Sequence, residues 1–172
     1  MKRPPLVVVF VAVMMLALGE SSAAFLSVLR PHVQRYALGR IAANAPAHGL
    51  TGAAEYDDEV RARAVFATEA GLSFLHTHAE GLPTMVLVAA TLVATAVRSR
   101  RARAGLYTVM TVGTLFPFGW LIYALAVLER GRDAGSEFAE TWVLAPLGSM
   151  IILALLGLLV ALAARRGRED VA

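Results

Sequence analysis

Four long apolar stretches constrain this chain more than any other feature of its sequence. They lie at residues 6–29, 72–97, 105–128 and 141–164. Each is as long as the helix of about 20 residues that crosses the hydrocarbon core of a bilayer. A single segment that crosses lipid has to be a helix, because only a helix satisfies its own backbone hydrogen bonds there. The sequence therefore predicts an all-α integral membrane four-helix bundle, which forms one membrane domain over residues 1–172.

The composition agrees with a chain that is mostly solvated by lipid. Hydrophobic residues make up 58% of the sequence and charged residues only 17%, whereas a soluble domain carries about 25% charged residues. The chain has no cysteine. This absence excludes a disulfide framework and metal ligation by thiolates.

Positive charges flank the apolar stretches on one side. The nine basic residues on this side are Lys2, Arg3, Arg98, Arg100, Arg101, Arg103, Arg165, Arg166 and Arg168. Because short basic segments stay in the cytoplasm, we expect both termini there and a long outer loop at residues 30–71 between helices 1 and 2. The basic excess is then a topology signal that lies beside anionic headgroups. We expect the lipid bilayer as a partner, and no nucleic acid.

The first apolar stretch has a second interpretation. Residues 1–24 begin with basic residues, continue through an apolar run and end with the small residues Ser22 and Ala24, in the manner of a cleaved signal peptide. However, the apolar run resumes at Phe25 and reaches the length of a full membrane span. We expect a retained helix, and cleavage would leave three helices and remove Glu20.

The outer loop is too long for a simple connector. Residues 53–68 have helical character, with acid–base pairs four residues apart at Asp57/Arg61 and Glu59/Arg63. Val60, Ala64 and Ala67 form a weak apolar stripe that could lie against the membrane surface. Two interpretations remain open: a solvated helix that caps the bundle, or a lid over a site in the outer leaflet.

Ionisable residues occur inside the second apolar stretch. His76 and Glu80 are four residues apart and share one helix face, whereas His78 lies about 200° around the helix from both. Such groups are costly in lipid unless they are paired or hydrated, so they indicate a functional site. Pro83 leaves one backbone carbonyl without its donor and is expected to weaken the helix beside them.

Other spans place polar or bending residues at a comparable depth. Glu20 lies late in the first span, and Pro117 predicts a kink near the middle of the third. Trp120 and Tyr123 follow that proline. The sequence therefore predicts a polar pocket in the outer half of the bundle. Its expected lining residues, besides the histidines and glutamates, are Thr77, Pro83, Trp120 and Tyr123.

The order of these features resembles a group of small bacterial four-helix membrane proteins. The resemblance rests on Glu20, the long outer loop and the motif His-Thr-His-x-x-Gly-Leu at residues 76–82. The same helix is distantly similar to one in the haem-copper oxidase and nitric oxide reductase superfamily. This resemblance implies that His76 and His78 are haem or metal ligands, that a glutamate supports them, and that the protein resides in the bacterial cytoplasmic (inner) membrane.

Three functions follow from the sequence as alternatives. The first is a redox or sensing role with haem b on His76 or His78, or with a transition-metal ion on His76, Glu80 and Glu20. The second is proton-coupled transport. The third is an accessory or assembly subunit without its own chemistry, as a homo-oligomer or beside a partner membrane subunit. No nucleophile–histidine arrangement or phosphate loop is present, so a binding role is favoured over an enzymatic one.

Overall fold

A computed structural model describes residues 3–169, and this part of the chain is helical without any strand. Four helical stretches are long and apolar enough to cross a membrane, which confirms the four-span prediction. The helices are α1 (Leu6–Ala43), α2 (Ala45–His48), α3 (Ala54–Ala96), α4 (Arg100–Gly113), α5 (Phe116–Arg130), α6 (Arg132–Ala139) and α7 (Ala145–Glu169), with a π-helical segment (Glu140–Leu144) between α6 and α7. The positions of the termini relative to a membrane remain a prediction.

The segment expected as an outer loop is mostly a continuation of two helices. α1 has 38 residues and α3 has 43, so they extend over about 57 and 64 Å at 1.5 Å per residue. Both lengths far exceed the roughly 30 Å of bilayer hydrocarbon. Pro31 lies inside α1 without ending it. The helix expected at residues 53–68 is confirmed as the first part of α3, and only residues 44–53 connect the two helices.

The connection between α1 and α3 is held by one carboxylate. Asp57 is 5% exposed and accepts hydrogen bonds from the backbone N–H groups of Thr51 (2.8 Å) and Gly52 (3.0 Å). These two bonds fix the turn that leads into α3, since N–H groups at this point have no intrahelical partners. The expected pair with Arg61 is present at 4.0 Å.

The apolar stripe on the first part of α3 packs against protein rather than forming a surface for the membrane. Ala64 and Ala67 are buried in a cluster with residues of α1 and α5. The other buried members of this cluster are Ala37, Ile41, Val127 and Leu128. Small side chains on α1 and α3 allow the two helices and the end of α5 to pack closely, so this end of the bundle has its own core.

Ion pairs connect the same helices near their exposed faces. Arg30 of α1 binds Glu69 of α3 at 2.9 Å, and Gln34 donates to the same carboxylate at 2.7 Å. Arg40 binds Glu129 of α5 at 2.5 Å through a bidentate contact. Exposed pairs contribute only about 0–1 kcal/mol each. Their main effect is to define the register of α1 against α3 and α5.

The third span is broken where the sequence predicts a kink. α4 ends at Gly113 and α5 begins at Phe116, with a turn between them. Pro117 cannot donate a backbone hydrogen bond, which removes the bond that would continue the helix. By contrast, α3 stays helical through Pro83. Pro83 is fully buried. Because α3 remains helical on both sides of this proline, the irregularity expected beside the histidines is not found.

Gly135 offers a direct test of the packing of α6 on α5. A Cβ added at Gly135 would lie 2.5 Å from the carbonyl carbon of Ala126 and 2.6 Å from the nitrogen of Val127. We expect Gly135→Ala to lower the free energy of unfolding by about 1–3 kcal/mol, because backbone atoms cannot move aside cheaply. Thermal unfolding in detergent measures this.

Gly39→Ala is the matched control, because nothing lies within 4 Å of a Cβ added at this helical glycine. It should leave the protein as stable as before or stabilise it by up to about 1 kcal/mol. Equal melting temperatures for the two variants would contradict the close contact of α6 with α5.

Candidate functional site

The close approach of α1 and α3 defines the position of His76. Gly19 of α1 lies against Ala79 of α3, and a Cβ on Gly19 would lie only 3.0 Å from the Ala79 Cβ. This proximity brings the Gly19 carbonyl oxygen within 3.1 Å of Nδ1 of His76. The same Nδ1 lies 3.4 Å from Oε1 of Glu80, one turn further along α3. His76 and Glu80 therefore share one face of α3, as expected, and lie within ion-pair distance without a direct hydrogen bond.

Both groups beside Nδ1 of His76 are hydrogen-bond acceptors, and this determines which ring nitrogen carries the proton. A carbonyl and a carboxylate oxygen can only accept, so Nδ1 carries the proton and donates. In a neutral ring Nε2 then holds the lone pair, and no hydrogen bond or ion pair joins it to the described residues. The His76 side chain is 27% exposed and that of Glu80 is 41% exposed. An oriented imidazole of this kind is suited to ligate a metal or to accept a proton.

His78 has different surroundings, as its position on the opposite face of α3 predicts. Its Nδ1 donates to the carbonyl of Phe74 within the same helix at 2.8 Å. Its ring stacks on Trp120 with centroids 5.7 Å apart and meets the edge of Phe116 at 5.2 Å. We call His78, Phe74, Phe116, Trp120 and Tyr123 the aromatic cluster. Phe116 and Trp120 occupy positions just after the break between α4 and α5, so the predicted kink positions this cluster.

The aromatic cluster contains a buried donor without an acceptor. Nε1 of Trp120 is buried and makes no hydrogen bond within the described part of the chain. Tyr123 is better satisfied, because its hydroxyl accepts from Ser136 at 3.2 Å. Trp120 therefore lies beside His78, and Tyr123 lies beside Trp120 with ring centroids 5.4 Å apart, on the side of α3 away from Glu80.

The structure does not assemble the predicted three-ligand metal site. Among the described residues, no group of three His, Asp or Glu side chains is placed to hold a metal ion. Glu20 follows Gly19, which faces α3, so the next side chain turns about 100° away on a helix. It is exposed and has no hydrogen-bonding partner in residues 3–169. The grouping of Glu20 with His76 and Glu80 was therefore wrong.

Two other predicted pocket residues also lie outside a common cavity. Thr77 is exposed, and its hydroxyl bonds the carbonyls of Ser73 and Phe74 within α3 at 3.3 Å each. Pro83 is part of the buried contact between helices. Three groups at the site were not expected from the sequence: the backbone carbonyl of Gly19 and the rings of Phe74 and Phe116. The spacing of four between Phe74 and His78 is the one signal that pointed to such a contact.

No family model, no curated protein and no solved structure matches this chain. The function is therefore argued from the geometry of the site.

The contact between His78 and Trp120 can be tested by fluorescence. With Trp142 replaced by Phe, Trp120 is the remaining tryptophan of the two in the chain. We expect His78→Ala in this background to change the Trp120 emission and to destabilise the protein by about 1 kcal/mol, because the stacked ring is lost. His32→Ala, at an exposed position, should change neither. Indistinguishable spectra for the two variants would contradict the stacked arrangement.

Proposed function

We propose that this protein binds haem b, or a single transition-metal ion, through Nε2 of His76 and acts in redox chemistry or sensing within the membrane. The observation that carries this proposal is the hydrogen bond from Nδ1 to the Gly19 carbonyl, with the Glu80 carboxylate 3.4 Å from the same nitrogen. Metal-ligating histidines generally donate their other ring N–H to a carbonyl or a carboxylate. This second bond selects the tautomer and orients the ring.

The number of available ligands favours haem over a bare ion. A structural metal site needs several protein ligands, whereas haem iron is held by one or two axial side chains. His76 supplies one oriented nitrogen. A bound haem would supply the redox chemistry. His76 would hold it, and Glu80 would raise the basicity of the ring and keep its orientation.

His78 is the less suitable ligand of the two. Its ring lies among Phe74, Phe116 and Trp120, while His76 faces a carboxylate and has no aromatic ring in contact within the described residues. The aromatic cluster is better placed to form an apolar wall beside a planar group than to donate a ligand.

Optical absorption of the protein purified after haem-replete expression tests this assignment. We expect a Soret band that is lost in His76→Ala and that persists in His78→Ala, since only the first variant removes the oriented nitrogen. Glu80→Gln should retain haem and shift its reduction potential, because a negative charge 3.4 Å from Nδ1 is removed.

His32→Ala serves as the matched control for the removal of a histidine and should keep the full band. A Soret band that survives His76→Ala would reject His76 as the ligand. A protein that contains neither haem nor stoichiometric metal by elemental analysis would reject the proposed cofactor function altogether.

The second candidate function is that of a subunit in a membrane complex, and exposed small and polar residues within the apolar stretches favour it. Glu20 is exposed on α1, and one stripe of α3 is exposed over about 27 Å. The α3 stripe consists of Thr77, Gly81, Thr84, Val88, Thr91 and Thr95. These residues alternate spacings of four and three, which is the pattern of a helix–helix seam, and small residues favour packing between membrane helices. Such a face is typical of a subunit in a homo-oligomer or a larger membrane complex.

Gly81 allows a test of this second function. Nothing lies within 4 Å of a Cβ added there, and the same holds for Gly105 on α4. We expect Gly81→Leu to fold but to shift the oligomer toward monomer, because the side chain would separate packed copies or partners. Gly105→Leu should leave the oligomer unchanged. Light scattering in detergent measures the oligomeric state of both variants. Co-purification measures whether partner subunits remain bound. An oligomer that withstands Gly81→Leu would exclude the α3 stripe as the seam.

The location proposed for the protein follows from its charges. Four arginines lie just before α4 and in its first turn, at residues 98, 100, 101 and 103. By the positive-inside rule this segment and both termini face the cytoplasm. The site then lies in the outer half of a bacterial cytoplasmic membrane, and the connection between α1 and α3 lies on the opposite side from the arginines.

A further inference from the structure

A cavity of about 370 Å³ lies at the end of the bundle that carries the connection between α1 and α3. Its polar lining consists of His48, Tyr56, Arg63, Arg130, Arg132 and Asp133. It is distinct from the site at His76, because Arg63 precedes His76 by about 20 Å along α3. Three arginines and a single aspartate give the lining an excess of positive charge.

The wall of this cavity is fixed by contacts between α2 and the turn from α5 to α6. Nε2 of His48 donates to the carbonyl of Leu128 at 3.1 Å, and Asn44 donates to the same oxygen at 3.1 Å. Gly131 has a φ of 84°, and a Cβ at this position would collide with the carbonyl oxygen of Ala47. The turn that carries Arg130 and Arg132 is therefore held against α2.

The arginines keep donors available. Arg132 has no ion pair or side-chain hydrogen bond within the described residues. The guanidinium of Arg130 lies 3.9 Å over the ring of Phe138, and stacking occupies its face but leaves its N–H edge free. Arg63 is paired with Glu59, and both side chains are 61% exposed, so that pair is weak.

The start of α6 also agrees with an anionic ligand. The first turn of α6, which includes the lining residue Ala134, has no side-chain cap. Its free N–H groups add a partial positive charge.

We propose that this cavity binds a phosphate group, carried either by a dissolved phosphate or phosphate monoester or by the headgroup of a lipid. Arginine forks match phosphate oxygens in pairs, and the lining keeps an excess of positive charge even though Arg63 is paired with Glu59. Asp133 opposes binding and limits the affinity. The two sources share this chemistry and differ in whether the ligand reaches the cavity from water or from the membrane surface.

Binding of phosphate from solution is tested with the protein in lipid-free detergent. Inorganic phosphate, added against sodium chloride of equal ionic strength, should raise the melting temperature in a saturable manner. Arg132→Gln should weaken phosphate binding about tenfold, because one charge-assisted hydrogen bond is lost. Asp133→Asn should strengthen phosphate binding, because it removes a negative charge from the lining. Arg35→Gln removes an exposed arginine of α1 outside the cavity and should leave binding unchanged.

Binding of a lipid headgroup phosphate is tested with the protein in nanodiscs. Phosphatidic acid in phosphatidylcholine discs should raise the melting temperature of the native protein and of Arg35→Gln, but not that of Arg132→Gln, if the headgroup is the ligand. A response to inorganic phosphate alone assigns the ligand to the aqueous phase. The proposal is overturned if neither arm stabilises the native protein beyond the chloride control, or if Arg132→Gln and Arg35→Gln respond alike. The unfolding of each variant without ligand shows that it folds.

Discussion

The close approach of α1 and α3 at Gly19 and Ala79 is the contact on which the rest of the arrangement depends. A glycine at this crossing lets the helix backbones come near enough for the Gly19 carbonyl to reach the ring of His76. A larger side chain would separate the helices and remove one of the two acceptors that orient the imidazole. The same crossing sets the register that brings Arg30 to Glu69 further along the helices.

The bundle separates its polar chemistry into two regions. His76 and Glu80 lie within an apolar stretch, where few groups compete for an imidazole and where ionisable residues are costly unless they are used. Two arginines of the cavity lie at the end of α5 and the start of α6, and the third lies on the first part of α3, all beyond the apolar stretches. A helix of more than 40 residues joins both regions in one rigid element.

The outward-facing polar groups connect the two candidate functions. Glu20 has no hydrogen-bonding partner within the described chain, the threonines of the α3 stripe bond only carbonyls of their own helix, and lipid does not solvate a carboxylate well. A neighbouring subunit would cover these groups. The partly exposed His76 and Glu80 lie on the same helix as the stripe, so a subunit packed there would also change the surroundings of the proposed ligand.

The sequence by itself determined the four long apolar helices, the break at Pro117, and the common helix face of His76 and Glu80. These features depend on local properties: apolar length, the missing N–H of proline and the four-residue repeat of a helix. Only the tertiary structure decided that residues 30–43 continue α1, that Gly19 rather than Glu20 faces His76, and that His78 joins aromatic rings from α5. Each of these depends on the rotation and register of one helix against another, which are set by side-chain packing between distant segments.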